Sequence, residues 1–185
     1  MKSEFFGERT FMDSLHNYRE LVSRVDALCR RIENDFREHL ACRKGCSSCC
    51  RHLSLSRVEA AALSKSLHGL SPERAAHIRE RAGQAGPDDP CPLLEDGACL
   101  LYEARPLICR THGLPVMVKR DERKSVDFCP ENFRDLTSLP ARAVIELDTL
   151  NATLAAIDGL FTAENRDRNL PERPTIAEAL LFDWR

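Results

Sequence analysis

CRKGCSSCCR, residues 42–51, sets four cysteines within nine positions, and Cys49 and Cys50 are direct neighbours. Thiols this dense have three explanations: disulfides, a redox pair or metal ligation. The choice decides the fold, because metal binding couples to folding and would tie down a segment otherwise rich in loops. Cys46-Ser-Ser-Cys49 has the two-residue spacer that lets two thiolates turn toward one ion, as in zinc knuckles and iron–sulfur loops. A thioredoxin-like redox pair shares that spacer but sits in a strand–helix–strand context, which this sequence lacks.

Outward from this stretch, Cys91, Cys99, Cys109 and Cys129 follow, so residues 42–129 hold eight of the nine cysteines. Eight thiolates divide into two tetrathiolate sites or one polynuclear cluster. Neighbouring side chains tend to diverge, so Cys49 and Cys50 would most easily serve different ions. Two divalent ions leave four of eight thiolate charges unneutralised. The basic neighbours Arg43, Lys44, Arg51 and Arg110, with Arg57 and Arg105 further off, are expected to offset that excess and lower the thiol pKa values. Backbone N–H groups of tight turns are expected to donate to the sulfurs. Eight thiols suffice without imidazole, so His52 and His112 are expected to be non-ligands, and His16, His39, His68 and His77 to be surface residues. Glu95 and Asp96, the carboxylates nearest the cysteines, are assigned to turn chemistry.

The flanks read as helix. Phe11, Leu15, Tyr18, Val22, Val25, Cys29, Ile32, Phe36 and Leu40 recur at steps of three and four, predicting one long helix over about residues 10–41 with Thr10 as N-cap and Asp13 three residues on. Cys29 lies on this stripe and is assigned to the core. Ser56 with Glu59 forms a capping box before a helix ended by Gly69, and Ser71-Pro72-Glu73 opens another running to about Gly83. Asp96-Gly97 marks a tight hairpin or knuckle, and Arg105-Pro106 a short turn or helix. Leu114 to Val118 predicts a strand, with Pro115 favouring the sheet edge and a return near Ser125 to Phe128. Val144, Leu147, Leu150, Leu154 and Ile157 predict a helix closed by Gly159, and Thr175 with Glu178 caps a final helix holding Leu180, Leu181 and Trp184. The expected fold is mainly α: a helical bundle with a loop-rich, metal-stapled cysteine segment containing short β-hairpins. It is read as one domain over 1–185, divided into helix (10–41), cysteine segment (42–129) and C-terminal helices (130–185).

Composition restricts the function. With 185 residues, 43% apolar and 30% charged, the chain is ordinary for a globular protein. A net charge of −2 with interspersed signs makes no general case for nucleic acid. The apolar run between Asp148 and Asp158 is too short to cross a bilayer, and no secretory signal is read, so a cytoplasmic protein without membrane association is expected. Thiols stay reduced there, which favours metal over disulfides. Phosphate-binding, dinucleotide-binding, GxSxG and HExxH motifs are absent.

Cys91-Pro92, Leu94, Gly97, Cys99, Tyr102, Arg105-Pro106 and Cys109-Arg110 form a run that resembles CPxL…GxCxIYxxRPxxCR, the core of the CxxCxxCC family of zinc- or iron-chelating domains. Leu101 stands in for the isoleucine. Cys42, Cys46, Cys49 and Cys50 correspond to the name motif, with three residues rather than two in the first gap, and Cys129 to the last cysteine. His112 stands where an aromatic residue often follows the Cys-Arg pair. The resemblance spans 42–129 and implies metal binding by Cys42, Cys46, Cys49, Cys50, Cys91, Cys99, Cys109 and Cys129, with zinc or iron, including an iron–sulfur cluster, as the cofactor. A similar domain is attached to flagellin lysine N-methylases. This chain carries only the cysteine part with helical flanks, so no methylase activity is carried over. The leading expectation is a metal-binding protein. The alternatives are an iron–sulfur redox or radical-assisting enzyme, to which Cys129-Pro130 adds weight, and a zinc-scaffolded interaction or nucleic-acid-binding module with Arg43, Lys44, Arg51 and Arg57 as its basic patch.

Overall fold

A computed structural model describes residues 15–43, 45–120, 123–166 and 171–182. The fold is about half helical with a few short strands. Helix α1 (His16–Asp35) buries Tyr18, Val25, Cys29 and Ile32 on one stripe, and Leu15 just before it is fully buried. Thr10, Phe11 and Asp13 lie outside the described residues. The helix stops at Asp35, short of Leu40. Phe36 turns inward, its N–H bonding the Ile32 carbonyl, and Arg37–His39 form a single 3₁₀ turn. An aromatic contact explains the early stop: Phe36 meets Phe133 edge-on at 6.0 Å, and Phe133 meets Phe128 at 5.7 Å. Cys29 is 5% exposed, a core thiol whose pKa burial pushes up to about 11.

Helix α2 (Arg57–Ser66) begins with the Ser56/Glu59 capping box, and Leu67–Gly69 closes it as a 3₁₀ turn. Ser71 caps helix α3 (Pro72–Gln84), which has Pro at its start. Strands β1 (Leu94–Glu95) and β2 (Ala98–Cys99) pair antiparallel around Asp96 and Gly97, at φ +49° and +71°. Two consecutive left-handed residues are what a type I′ turn requires, and Asp-Gly supplies them at low cost. Helix α4 (Leu107–Thr111) follows Pro106.

Strand β3 (Val116–Arg120) pairs antiparallel with β4 (Arg123–Asp127) and parallel with β5 (Ile145–Glu146), giving the order β4-β3-β5. The expected edge position for this strand is therefore corrected. Pro115 lies just before the strand, where its missing N–H is not needed, and its carbonyl accepts the Ile145 N–H at 2.8 Å. Val144 and Ile145 belong to this extended stretch, not to the helix predicted to include Val144. Helix α5 (Leu147–Glu164) then runs through Gly159. Gly159 fails to end it because Phe161, 1% exposed, anchors the last turn in the core; burying such a side chain contributes about 2 kcal/mol, against about 1 for a helical glycine.

Helix α6 (Ile176–Leu181) carries the Thr175/Glu178 capping box and packs on α2 and α3, while α1 packs on α4 and α5. Trp184 lies outside the described residues. Leu53 and Leu55 bond Ile176 and Pro174 through the backbone, so the strand-like stretch after Cys50 is pinned to the C-terminal helix. No helix among the described residues is long and apolar enough to cross a membrane.

Candidate metal centre

Five pieces of chain bring the cysteines together. Cys42, Cys46, Cys49 and Cys50 lie on the loop between α1 and α2, Cys91 precedes β1, Cys99 ends β2, Cys109 is on α4 and Cys129 follows β4. Gly97 allows the loop to close on the hairpin: a Cβ there would stand 3.1 Å from the Gly45 Cα. Gly45 itself has φ +93°, and the Cys46 N–H bonds the Arg43 carbonyl at 3.0 Å. The additional residue after Cys42 is thus absorbed in a turn.

The thiols fall into two neighbourhoods. Cys42 feels the charge of Cys129, Cys46 and Cys49. A Cβ on Gly113, at φ +90°, would lie 3.1 Å from the Cys42 sulfur and 3.7 Å from the Cys129 Cβ, so this position keeps a gap between the two cysteines that only glycine leaves. Cys109 feels Cys91, Cys99 and Cys50; Cys91 feels Cys99 and Cys50. Cys49 and Cys50 hydrogen-bond through their sulfurs and join the neighbourhoods, with Cys46 felt by both. Cys42, Cys46 and Cys49 are exposed; Cys50, Cys91, Cys99, Cys109 and Cys129 are partly buried. Among the described residues, no group of three or more His, Cys, Asp or Glu side chains is arranged to hold an ion.

Donors already point at sulfur. The backbone N–H groups of Leu93 and Leu94 favour the Cys91 thiolate, and that of Leu101 the Cys99 thiolate. Asn132, 1% exposed, sends its Nδ2 to the Cys42 sulfur at 3.3 Å and to the Gly113 carbonyl at 2.7 Å, while its Oδ1 accepts the Ala41 N–H at 2.9 Å. Sequence reasoning missed Asn132, because nothing local distinguishes it from a surface asparagine. Such N–H···S bonds orient thiolate ligands and temper their charge. Burial and then the neighbouring thiols push Cys109 up to about 12, and burial pushes Cys91 up to about 11. Cys42, Cys49, Cys50 and Cys99 are raised, with burial first. Thiolate sulfur is a soft donor of the kind that zinc and iron accept.

The expected role of Arg110 is corrected. Its guanidinium turns away from the sulfurs, donating to Asp26 at 2.7 Å and to the carbonyls of Arg105 and Glu103. It is 8% exposed. Arg105 is the cation that favours thiolate at Cys50, Cys99 and Cys109. It lies over the Tyr102 ring at 3.5 Å. Arg43 and Arg51 are exposed, Arg57 donates to the Pro171 carbonyl, and Lys44 lies outside the described residues.

His52 is committed elsewhere. Its Nε2 accepts the Ala177 N–H at 3.2 Å, so Nδ1 carries the proton and donates to the Gly86 carbonyl at 2.9 Å. A neutral imidazole with both nitrogens engaged has no lone pair for a metal. His112 is exposed on the wall of a cleft of about 370 Å³ that Cys49 and Cys129 also line. His39 pairs with Asp135 at 2.8 Å, and His77 with Glu95 at 2.7 Å, which holds the Glu95 carboxyl below its usual range. Glu95 therefore also ties the hairpin to α3, beyond the turn role expected of it.

Residues 41–130 match a family model described as "CxxCxxCC: Putative zinc- or iron-chelating domain". In this segment the chain is similar to the CxxCxxCC family. No curated protein and no solved structure matches it. In this segment, the raised thiols give a pH dependence with a definite sign. In the metal-free protein, the unfolded chain ionises its cysteines near their ordinary value, before Cys91 and Cys109 do in the fold at about 11 and 12. The unfolded state then binds fewer protons, so stability falls as pH rises from about 9 toward 12. Thermal melts of chelator-treated protein should drop between pH 8 and pH 10, and an unchanged or rising Tm would contradict this.

Proposed function

We propose that the CxxCxxCC domain holds zinc or iron through eight cysteines in two thiolate sets, an outer one of Cys42, Cys46, Cys49 and Cys129 and an inner one of Cys50, Cys91, Cys99 and Cys109. The supporting observation is the grouping itself. Cys42 and Cys129 meet across Gly113, Cys109 feels Cys91, Cys99 and Cys50, and the Cys49-Cys50 pair stands between them. Bound ions would neutralise the crowded thiols and fix the loops between α1 and α2 and around the β1–β2 turn. In this reading the protein is a cytoplasmic metal-binding protein.

Anaerobic purification followed by elemental analysis and a visible spectrum tests this reading. The expected result is about two ions, or one polynuclear cluster, per chain. Visible absorption with acid-labile sulfide selects the iron–sulfur form, and a colourless protein with stoichiometric zinc selects the zinc form. Eight cysteines freely titrated by a thiol reagent, with no tightly bound metal, would sink the reading.

A further inference from the structure

Strand β4 (Arg123–Asp127) is a free edge of the three-stranded sheet, pairing with β3 alone. Its register against β3 runs unbroken through all five residues, so it carries no bulge, and it contains no proline. Arg123, Lys124, Ser125 and Asp127 are exposed, and Val126 is partly buried. Edge strands are usually blunted by a bulge, a proline, a lysine or a covering element, because open backbone groups template further pairing. Of these devices β4 has its lysine, and among the described residues no backbone bond reaches its outer side.

The register fixes which backbone groups are open. Arg120 and Arg123 stand opposite each other with two residues between them, so they exchange both backbone hydrogen bonds. Alternation along the ladder then turns the N–H and C=O groups of Arg123, Ser125 and Asp127 toward β3, and those of Lys124 and Val126 outward. Side chains alternate with the same period, so Arg123, Ser125 and Asp127 share one face of the strand.

Strand β3 offers β4 no opposite charge. Arg123 stands opposite Arg120, Lys124 opposite Lys119 and Asp127 opposite Val116. The reverse of β4 itself supplies what is missing. Run antiparallel about Ser125, a second Arg-Lys-Ser-Val-Asp strand sets Arg123 against Asp127 at both ends. Lys124 then meets Val126, so the blunting lysine faces no second cation. The open groups of Lys124 and Val126 meet as hydrogen-bonded pairs, and Arg123 and Asp127 meet as a non-hydrogen-bonded pair, where side chains approach most closely.

We propose that two copies of this chain join edge to edge through β4, antiparallel about a two-fold axis at Ser125. The product is one sheet in the order β5-β3-β4-β4-β3-β5 with a self-complementary interface. Asp127 lines the cleft of about 370 Å³ with His112, Cys49 and Cys129, so the joint brings Arg123 of the second copy to the rim of that cleft. Five residues a side make a small interface, which places the dimer in the micromolar range. This edge pairing does not depend on bound metal.

Sedimentation velocity of the full chain in reducing buffer, over about 1–200 µM, tests it. The unmutated chain should pass from monomer to dimer across that range. Arg123→Asp and Asp127→Arg each turn two attractive pairs into repulsive ones, so each alone should weaken the dimer about tenfold or more. Mixed in equal amounts, the two variants should associate again, because each altered charge then faces its opposite on the other chain. Lys124→Pro removes an open N–H and spares the β3 ladder, so it should weaken the dimer with circular dichroism unchanged. A chain that stays monomeric throughout overturns the inference. So does a dimer indifferent to both charge reversals or to Lys124→Pro, or a mixture of the two reversals that stays monomeric.

Discussion

Cys109→Ser is expected to lose one metal equivalent and to loosen the chain from the Cys49-Cys50 pair through α4, while α1 and α6 keep their helicity. Cys109 lies near Cys50, Cys91 and Cys99, and its thiol is the one among the cysteines that burial and neighbouring sulfurs push furthest, to about 12. In the proposed two-set reading, removing it leaves three thiolates for an ion that would take four. Apparent binding free energies of structural zinc are about 10–16 kcal/mol, much of it folding free energy in a segment that lacks a large core of its own. Amide hydrogen exchange should therefore rise around Cys91 to Cys109, and metal analysis should fall by one ion. Cys29→Ala provides the contrast. That thiol is in the α1 stripe, so the substitution should cost on the order of 1 kcal/mol and leave metal content unchanged. Equal metal loss in the two variants would refute the assignment of Cys29 to the core.

Arg110→Ala carries the second large effect. The guanidinium, with 6% of its side chain exposed, binds Asp26 through two oxygens and two backbone carbonyls of the preceding turn. Truncation leaves those carbonyls and a carboxylate, 27% exposed, without their partner. Breaking such a pair from one side costs about 3 kcal/mol, less than for a fully dry pair because water reaches Asp26. Arg110→Lys should recover only part of it, since an ammonium cannot serve Asp26 and both carbonyls from one plane. Chemical denaturation measures the cost, and a loss below about 0.5 kcal/mol, typical of a surface substitution, would place Arg110 outside the structural framework. The Coulombic influence of Arg110 on the neighbouring thiols is also expected to be slight, so metal content in Arg110→Lys should stay near that of the unmutated chain.

Much of the helical framework was legible in the sequence because its signals are local. The capping boxes at Ser56/Glu59 and Thr175/Glu178, the Ser71-Pro72 start and the buried stripe of α1 each depend on residues a turn or two apart. The Asp-Gly turn is equally local. The misreadings occur where distant contacts overrule local preference. Phe36 ends α1 because Phe133 is there to meet it, and α5 passes Gly159 because Phe161 has a core to enter. β3 is a central strand because Ile145 arrives from the far side, an event separated by some thirty positions from the strand it completes.

The same division runs through the candidate site. The cysteine inventory and the two-residue spacer were readable as chemistry, since the thiol types and their spacing are properties of the chain alone. Which thiols are neighbours was not, because Cys42 reaches Cys129, and Cys50 reaches Cys91, Cys99 and Cys109, only after the loops close. Charge was misread for the same reason. Adjacency in sequence made Arg110 a partner for the sulfur of Cys109, but on a helix consecutive side chains point about 100° apart. Arg110 therefore turns to Asp26, and Arg105, four positions before Cys109, brings its charge to the thiols. The sequence by itself determined that this protein concentrates soft ligands in one segment between capped helices. The tertiary structure decided which cysteines lie near one another, which cation attends them and which of them line the cleft, because each of these is a distance between groups that the chain brings together only by folding.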